Sequence, residues 1–177
     1  MIFDKLFKRG PSRLAGEKLY QAAITQARQP AFYADLGAPD TVEGRFELYT
    51  LHVVLVLHRL KGQGACAAEV SQALFDTYLL ALDDALREMG VGDLSVGKKM
   101  RKLGEAFYGR AKAYQTALEA GDQAELTALI GRTIYAGGDA AAGDKLASYV
   151  ERSAALLGAL RLEDVLEAQL AWSEIAP

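Results

Sequence analysis

The strongest constraint on this chain is where its helix-breaking residues fall. Pro11, Pro30, Pro39 and Pro177 all lie outside the stretches with clear helical periodicity, and glycines end several of the others. Pro11 and Pro30 bracket a first helix from about residue 12 to residue 29. The segment PAFYADLGAP (30–39) reads as a loop carrying two large aromatics, Phe32 and Tyr33. Asp40-Thr-Val-Glu43 is a capping box in its Asp form, an acceptor at the N-cap and Glu three residues on. It opens a second helix that ends near Gly62. Val53, Val54 and Val56 imitate a strand there, but about 20 residues between cap and glycine decide for a helix.

A third helix spans residues 65–89, with Leu74, Phe75, Tyr78, Leu79, Leu82, Leu86 and Met89 at three- and four-residue spacing and Gly90 as its stop. Ser95 is expected to cap a fourth, which runs to Ala120 and stops at Gly121. Asp122-Gln-Ala-Glu125 repeats the capping box and opens a fifth helix to about Ala136. A flexible loop is expected over 137–143, then a sixth helix marked by Leu146, Tyr149, Val150, Ser153, Leu156 and Leu157, and a shorter seventh over 162–172. No alternating run or Asn-Gly hairpin signal stands out. The expected fold is all-α, a single-domain bundle of about seven helices with the second and third as a buried central pair. The expected division is a basic amphipathic segment over 1–11 and a helical domain over 12–177.

A chain of 177 residues buries roughly two-thirds of its unfolded surface and needs no staple. Cys66 is the only cysteine, so an intramolecular disulfide is excluded and the reading is an inert core thiol in a reducing compartment. The longest apolar run, 48–57, is broken by Thr50 and His52 and falls short of the ~20 residues a membrane span needs. The first nine residues put Ile2, Phe3, Leu6 and Phe7 on one side and Lys5, Lys8 and Arg9 on the other. They are too short and too charged for a secretory signal. Three readings stay open for them: a membrane-interface foot, a segment docked on the domain, and a segment without fixed structure.

The unusual polar chemistry lies in LDDALREMGVGDLSVGKKMRKLGEAFYGR (82–110). From Lys98 to Lys112 there are six cations (Lys98, Lys99, Arg101, Lys102, Arg110, Lys112) and one anion, Glu105, although the net charge of the whole chain is −3. Lys98 and Lys99 sit in the first turn of their helix, where cations oppose the helix dipole. Two readings follow: a solvated basic face, or a docking site for an acidic partner, RNA or lipid head groups. Gly92 to Lys98 matches seven positions of a phosphate loop. However, the eighth is Lys99 instead of the hydroxyl that holds magnesium, and a helix instead of a strand comes before. His52 and His58 point about 120° apart on one helix and cannot chelate one ion from one face, so His52 reads as a hydrogen-bonded core residue. Asp83, Asp84, Arg87 and Glu88 read as ion-pairing groups on one helix and not as paired catalytic carboxylates. No nucleophile elbow is present. These residues point to recognition and not to reaction, with no enzyme activity, cofactor, metal, DNA or small-molecule substrate expected.

Phe32–Leu60 and Gln72–Tyr114, with PDT-x-x-GRF, LREMGVGDLSVGKK and AFYGR as they stand here, resemble the ubiquinol–cytochrome c chaperone family. The pattern matches at Asp40, Gly44, Arg45, Asp76, Arg87, Gly92, Asp93, Lys98, Lys99, Tyr108 and Arg110. The resemblance implies a non-enzymatic assembly factor that binds newly made cytochrome b and helps build ubiquinol–cytochrome c reductase. The chain lacks the long N-terminal extension of mitochondrial relatives, so the expectation is a bacterial member. Such a member would be cytoplasmic and peripheral to the cytoplasmic face of the inner membrane. The expected partners are cytochrome b, with the ribosome or the membrane surface as further contacts. The expected client contacts are Lys98, Lys99, Arg101, Lys102 and Arg110, with Phe32, Tyr33 or Tyr108 as exposed aromatics and an apolar groove between helices. The alternative is an RNA- or ribosome-associated helical adaptor using the basic helix 98–112.

Overall fold

The computed structural model describes residues 10–137 and 140–175. It contains α1 (Pro11–Ala27), α2 (Pro30–Ala34), α3 (Val42–Leu60), α4 (Ala65–Glu88), α5 (Asp93–Ala120), α6 (Gln123–Thr133), α7 (Ala140–Ala159) and α8 (Leu162–Leu166), with no strand among the described residues. The expected all-α class holds, with eight helices in place of about seven. Apart from Gly10 and Pro11, the expected N-terminal segment 1–11 lies outside the described residues.

The local differences have local causes. Residues 30–34 form a short helix where a loop was expected, because Pro30 at its first position sets φ for a helical turn. Thr41, and not Asp40, caps α3: its hydroxyl accepts from the Gly44 amide at 3.1 Å, which frees Asp40 to pair with Arg45 at 2.6 Å. Ser95 does not cap α5, which begins at Asp93 after Gly92. The expected loop 137–143 is shorter, since α7 already runs from Ala140. The last helix ends at Leu166, and the chain beyond it is irregular. Cys66 is exposed in the first turn of α4, so the core-thiol expectation fails.

The core is organised around α3. Leu48, Leu51, Val53, Val54, Leu55, Val56 and Leu60 are all buried, each worth about 1.5–3 kcal/mol of removed apolar surface. The expected second partner, α4, is buried along one face only, through Ala67, Val70, Leu74 and Tyr78. Its amphipathic pattern therefore produces a half-exposed helix. α1 runs parallel beside α4: Ser12 bonds Glu69, Gly16 meets Ala73 and Leu74, and Tyr20 lies near Tyr78. A Cβ on Gly16 would come within 2.6 Å of the α4 backbone, so this close crossing requires glycine. α5 crosses α3 and α4, and α6 packs on α7, which also leans on α3. No described helix is long and apolar enough to cross a membrane.

Candidate partner-binding site

α5 is two different helices in one. From Phe107 on, one face of it joins the core, with Phe107, Tyr114 and Ala117 buried. Before that point only Val96 is buried. Leu94, Lys98, Arg101, Lys102, Glu105, Tyr108 and Lys112 recur at three- and four-residue spacing and form one exposed ridge, with Lys99 beside it. Leu94 is fully exposed, Tyr108 is 62% exposed, and Met89 at the preceding turn is 57% exposed. The turn itself is fixed. Gly90 takes φ +78°, and Arg87 ties Asp83 of α4, at 2.6 Å, to Asp93 of α5. The Asp83–Arg87 pair is the one that its spacing predicted.

Clustering of unpaired cations separates this ridge from the rest of the surface, where Lys18 and Lys145 also lack partners among the described residues but belong to no such run. Among the described residues, every arginine except Arg101 is held by a carboxylate, a carbonyl or a hydroxyl of the chain. Lys98, Lys99 and Lys102 likewise show no ion pair or hydrogen bond among the described residues. Four cations within five positions, all exposed and all without an internal partner, create a positive potential that attracts anionic surfaces.

The structure divides the expected contact residues. Lys98, Lys99, Arg101, Lys102 and Tyr108 come together on the ridge, with the Tyr108 ring supported by Phe75 at 5.4 Å and by Phe107 at 5.9 Å. Arg110 does not join them. It turns inward and donates two hydrogen bonds, at 2.8 and 3.1 Å, to the nearly buried carboxylate of Glu47 on α3. Phe32 is also excluded as a contact: it is fully buried, 5.1 Å from the His52 ring and 5.0 Å from the Tyr149 ring. Tyr33 is half-buried, away from the ridge, in a cleft with Arg28, Arg45 and Tyr49.

The core histidine behaves as its surroundings predicted. His52 is completely buried; Nδ1 donates to the Leu48 carbonyl at 2.8 Å, and Nε2 accepts from the Tyr149 hydroxyl at 3.0 Å. Burial lowers its pKa to about 4, against the smaller opposing effect of the Leu48 carbonyl, so the ring is neutral. Burial also pushes the Tyr149 hydroxyl up to about 12, and Gln26 donates to its oxygen at 3.1 Å. Both ring nitrogens of His52 are used inside the fold and neither faces a ligand.

An open groove of about 1430 Å3 follows the parallel α1–α4 pair as far as α8. Tyr20, Ala73 and Thr77 line it, Leu14 and Leu80 stand exposed beside it, and Glu69 and Asp76 add negative charge. It is the kind of inter-helix groove that accepts an amphipathic or apolar helix. Sequence reasoning called for such a groove without locating it. The exposed Leu80 inside an otherwise amphipathic α4 was the available signal.

The family model described as ubiquinol-cytochrome C chaperone matches residues 34–172, which takes in the ridge and all of α3 to α8. Ubiquinol-cytochrome-c reductase complex assembly factor 1 of Xenopus laevis is 22% identical over 156 residues, covering 87% of this chain and 78% of that protein. The crystal structure of the Cbp3 homolog from Brucella abortus is similar with a TM-score of 0.86 at 32% identity, covering 99% of this chain and 98% of that one. The chain therefore belongs to the ubiquinol-cytochrome C chaperone family.

Proposed function

We propose that this protein is a non-enzymatic assembly chaperone for ubiquinol–cytochrome c reductase, and that its client is newly made cytochrome b. The family match over 34–172 supports the assembly role. The observation that carries the contact site is the set of unpartnered cations at Lys98, Lys99, Arg101 and Lys102 beside the exposed Tyr108. The α1–α4 groove supplies the complementary apolar surface for a hydrophobic helix of the client. Lys98, Lys99, Arg101 and Lys102, with Leu94 at the start of the ridge, also suit the anionic surface of a membrane into which such a client inserts. The proposed location is accordingly peripheral, at the cytoplasmic face of the inner membrane.

The mechanism is differential affinity. A chaperone that binds the unassembled subunit better than the finished complex holds the first and releases it as assembly proceeds. The test is co-purification from solubilised membranes with crosslink mapping, together with a deletion strain. Cytochrome b should be captured, with crosslinks on 98–112, and the assembled complex should fall in the deletion strain. Normal levels of the complex in that strain would refute the assembly role. Capture of RNA without cytochrome b, falling steeply with salt, would refute the client assignment.

A further inference from the structure

We propose that the cleft formed by the end of α1, α2 and the start of α3 binds the carboxylate of a peptide. The cleft holds about 680 Å3 and is lined by Arg28, Pro30, Tyr33, Asp40, Arg45 and Tyr49. It uses a different part of the molecule from the α5 ridge.

Donors outnumber acceptors in this cleft. Arg28 donates from Nε to the Tyr49 hydroxyl at 2.8 Å, and its guanidinium lies 5.4 Å from the centre of the same ring. Arg45 donates from Nε to Asp40 Oδ1 at 2.6 Å. A guanidinium carries five N–H groups in a flat fork, so each of these single bonds leaves most of the fork unspent. The Tyr49 hydroxyl accepts from Arg28 and still has its own proton to give. The Tyr33 hydroxyl is occupied, donating to the Ala27 carbonyl at 3.2 Å. Asp40 is the one carboxylate lining the cleft. A ligand that matches this cleft is therefore rich in acceptors.

Charge and shape narrow the ligand. Arg28 and Arg45 against Asp40 leave a single positive charge, which balances a monoanion and not a phosphate dianion. Two guanidiniums, each tethered at Nε, are restrained before any ligand arrives, and carboxylates accept such forks in bidentate fashion. The rings of Tyr33 and Tyr49, with Pro30 and Ala34, provide apolar walls for the carbon atoms that carry the carboxylate. The electrostatics tie these groups into one site: burial raises the Tyr33 pKa, with Tyr49 and Asp40 adding to it, and Arg45 and Arg28 oppose it.

Two sources offer this chemistry, an internal Asp or Glu and a chain's C-terminal carboxylate. The full-length chain, with arginine Nε–H resonances observed by NMR, is titrated with four probes. These are N-acetyl-Ala-Glu-Ala-amide, N-acetyl-Ala-Ala-Ala with a free C-terminus, N-acetyl-Ala-Gln-Ala-amide and inorganic phosphate. The expected result is saturable shifts of Arg28 and Arg45 with at least one carboxylate peptide, the tighter of the two naming the source. Arg28→Gln and Arg45→Gln should each weaken that binding by about tenfold, as loss of a charged hydrogen bond does, and Asp40→Asn should strengthen it. Arg28 and Arg45 are exposed, so unchanged melting of these variants serves as the control for folding. The proposal is overturned if neither carboxylate peptide shifts the arginines, if the glutamine peptide binds equally well, if phosphate binds more tightly than both carboxylate peptides, or if both arginine variants bind as the parent does.

Discussion

α3 and the first half of α5 are adjacent helices with opposite exposures. Beyond its first turn, α3 hides most of what it has: its apolar side chains fill the core, and several of its polar groups face inward, His52 to Leu48 and Tyr149, Thr50 to Tyr78 at 2.7 Å, and Glu47 to Arg110. The α5 ridge hides almost nothing and leaves four cations without internal partners. It also contains Gly97, Gly104 and Gly109, each with open space where a Cβ would stand. No packing contact calls for these glycines, and each weakens a helix by about 0.5–1 kcal/mol relative to alanine. The packed core and the proposed contact surface are thus segregated within this fold. Arg110 marks the boundary, since it lies within the basic run of the sequence but is partly buried and tied to Glu47 at the edge of the core.

The largest expected effect tests the α3 side. Leu51→Ala should cost about 2–5 kcal/mol in denaturant unfolding, since Leu51 is fully buried. An equal loss from alanine at the four ridge cations would erase the contrast. Next comes His52. Its folded pKa, near 4, lies below the ordinary 6.5, so the unfolded state binds the extra proton between those values. Its contribution is fully present above pH 6.5 and is lost as pH falls toward 4, by about 3 kcal/mol in all. His52→Gln should flatten that part of the stability–pH curve, measured by chemical denaturation from pH 7 to 4. An identical slope in both proteins would contradict a neutral buried ring.

A smaller effect is expected at the boundary. Arg110→Ala leaves the nearly buried Glu47 without its partner and should cost about 1–3 kcal/mol, whereas Lys112→Ala, two residues on, should change the melting curve little. Equal effects would mean that Arg110 is one more surface cation. The smallest is Gly104→Ala, expected to stabilise by about 0.5–1 kcal/mol; destabilisation would show that the ridge helix depends on its glycines.

Much of this architecture was legible because it is written locally. Prolines, glycines and capping residues lie next to what they control, so most helix positions followed from spacing. The Asp83–Arg87 pair and the exposed basic ridge are local as well. What escaped depends on long-range contact. Nothing near Phe32 shows that its five-residue helix carries it beneath His52 and Tyr149. Glu47 and Arg110 are 63 positions apart, so neither predicts the other. Cys66 misled because a cysteine's average environment is the core, while the first turn of α4 leaves this one exposed. The Arg28–Arg45 cleft gathers residues from three helices and was not visible as a motif.

The ridge is proposed to serve contact and not folding. The most direct measurement is capture of cytochrome b from solubilised membranes by a variant carrying Lys98→Ala, Lys99→Ala, Arg101→Ala and Lys102→Ala. Helical content and melting should stay parental, with capture reduced by about tenfold or more. Capture at the parental level by this folded variant would contradict a contact role.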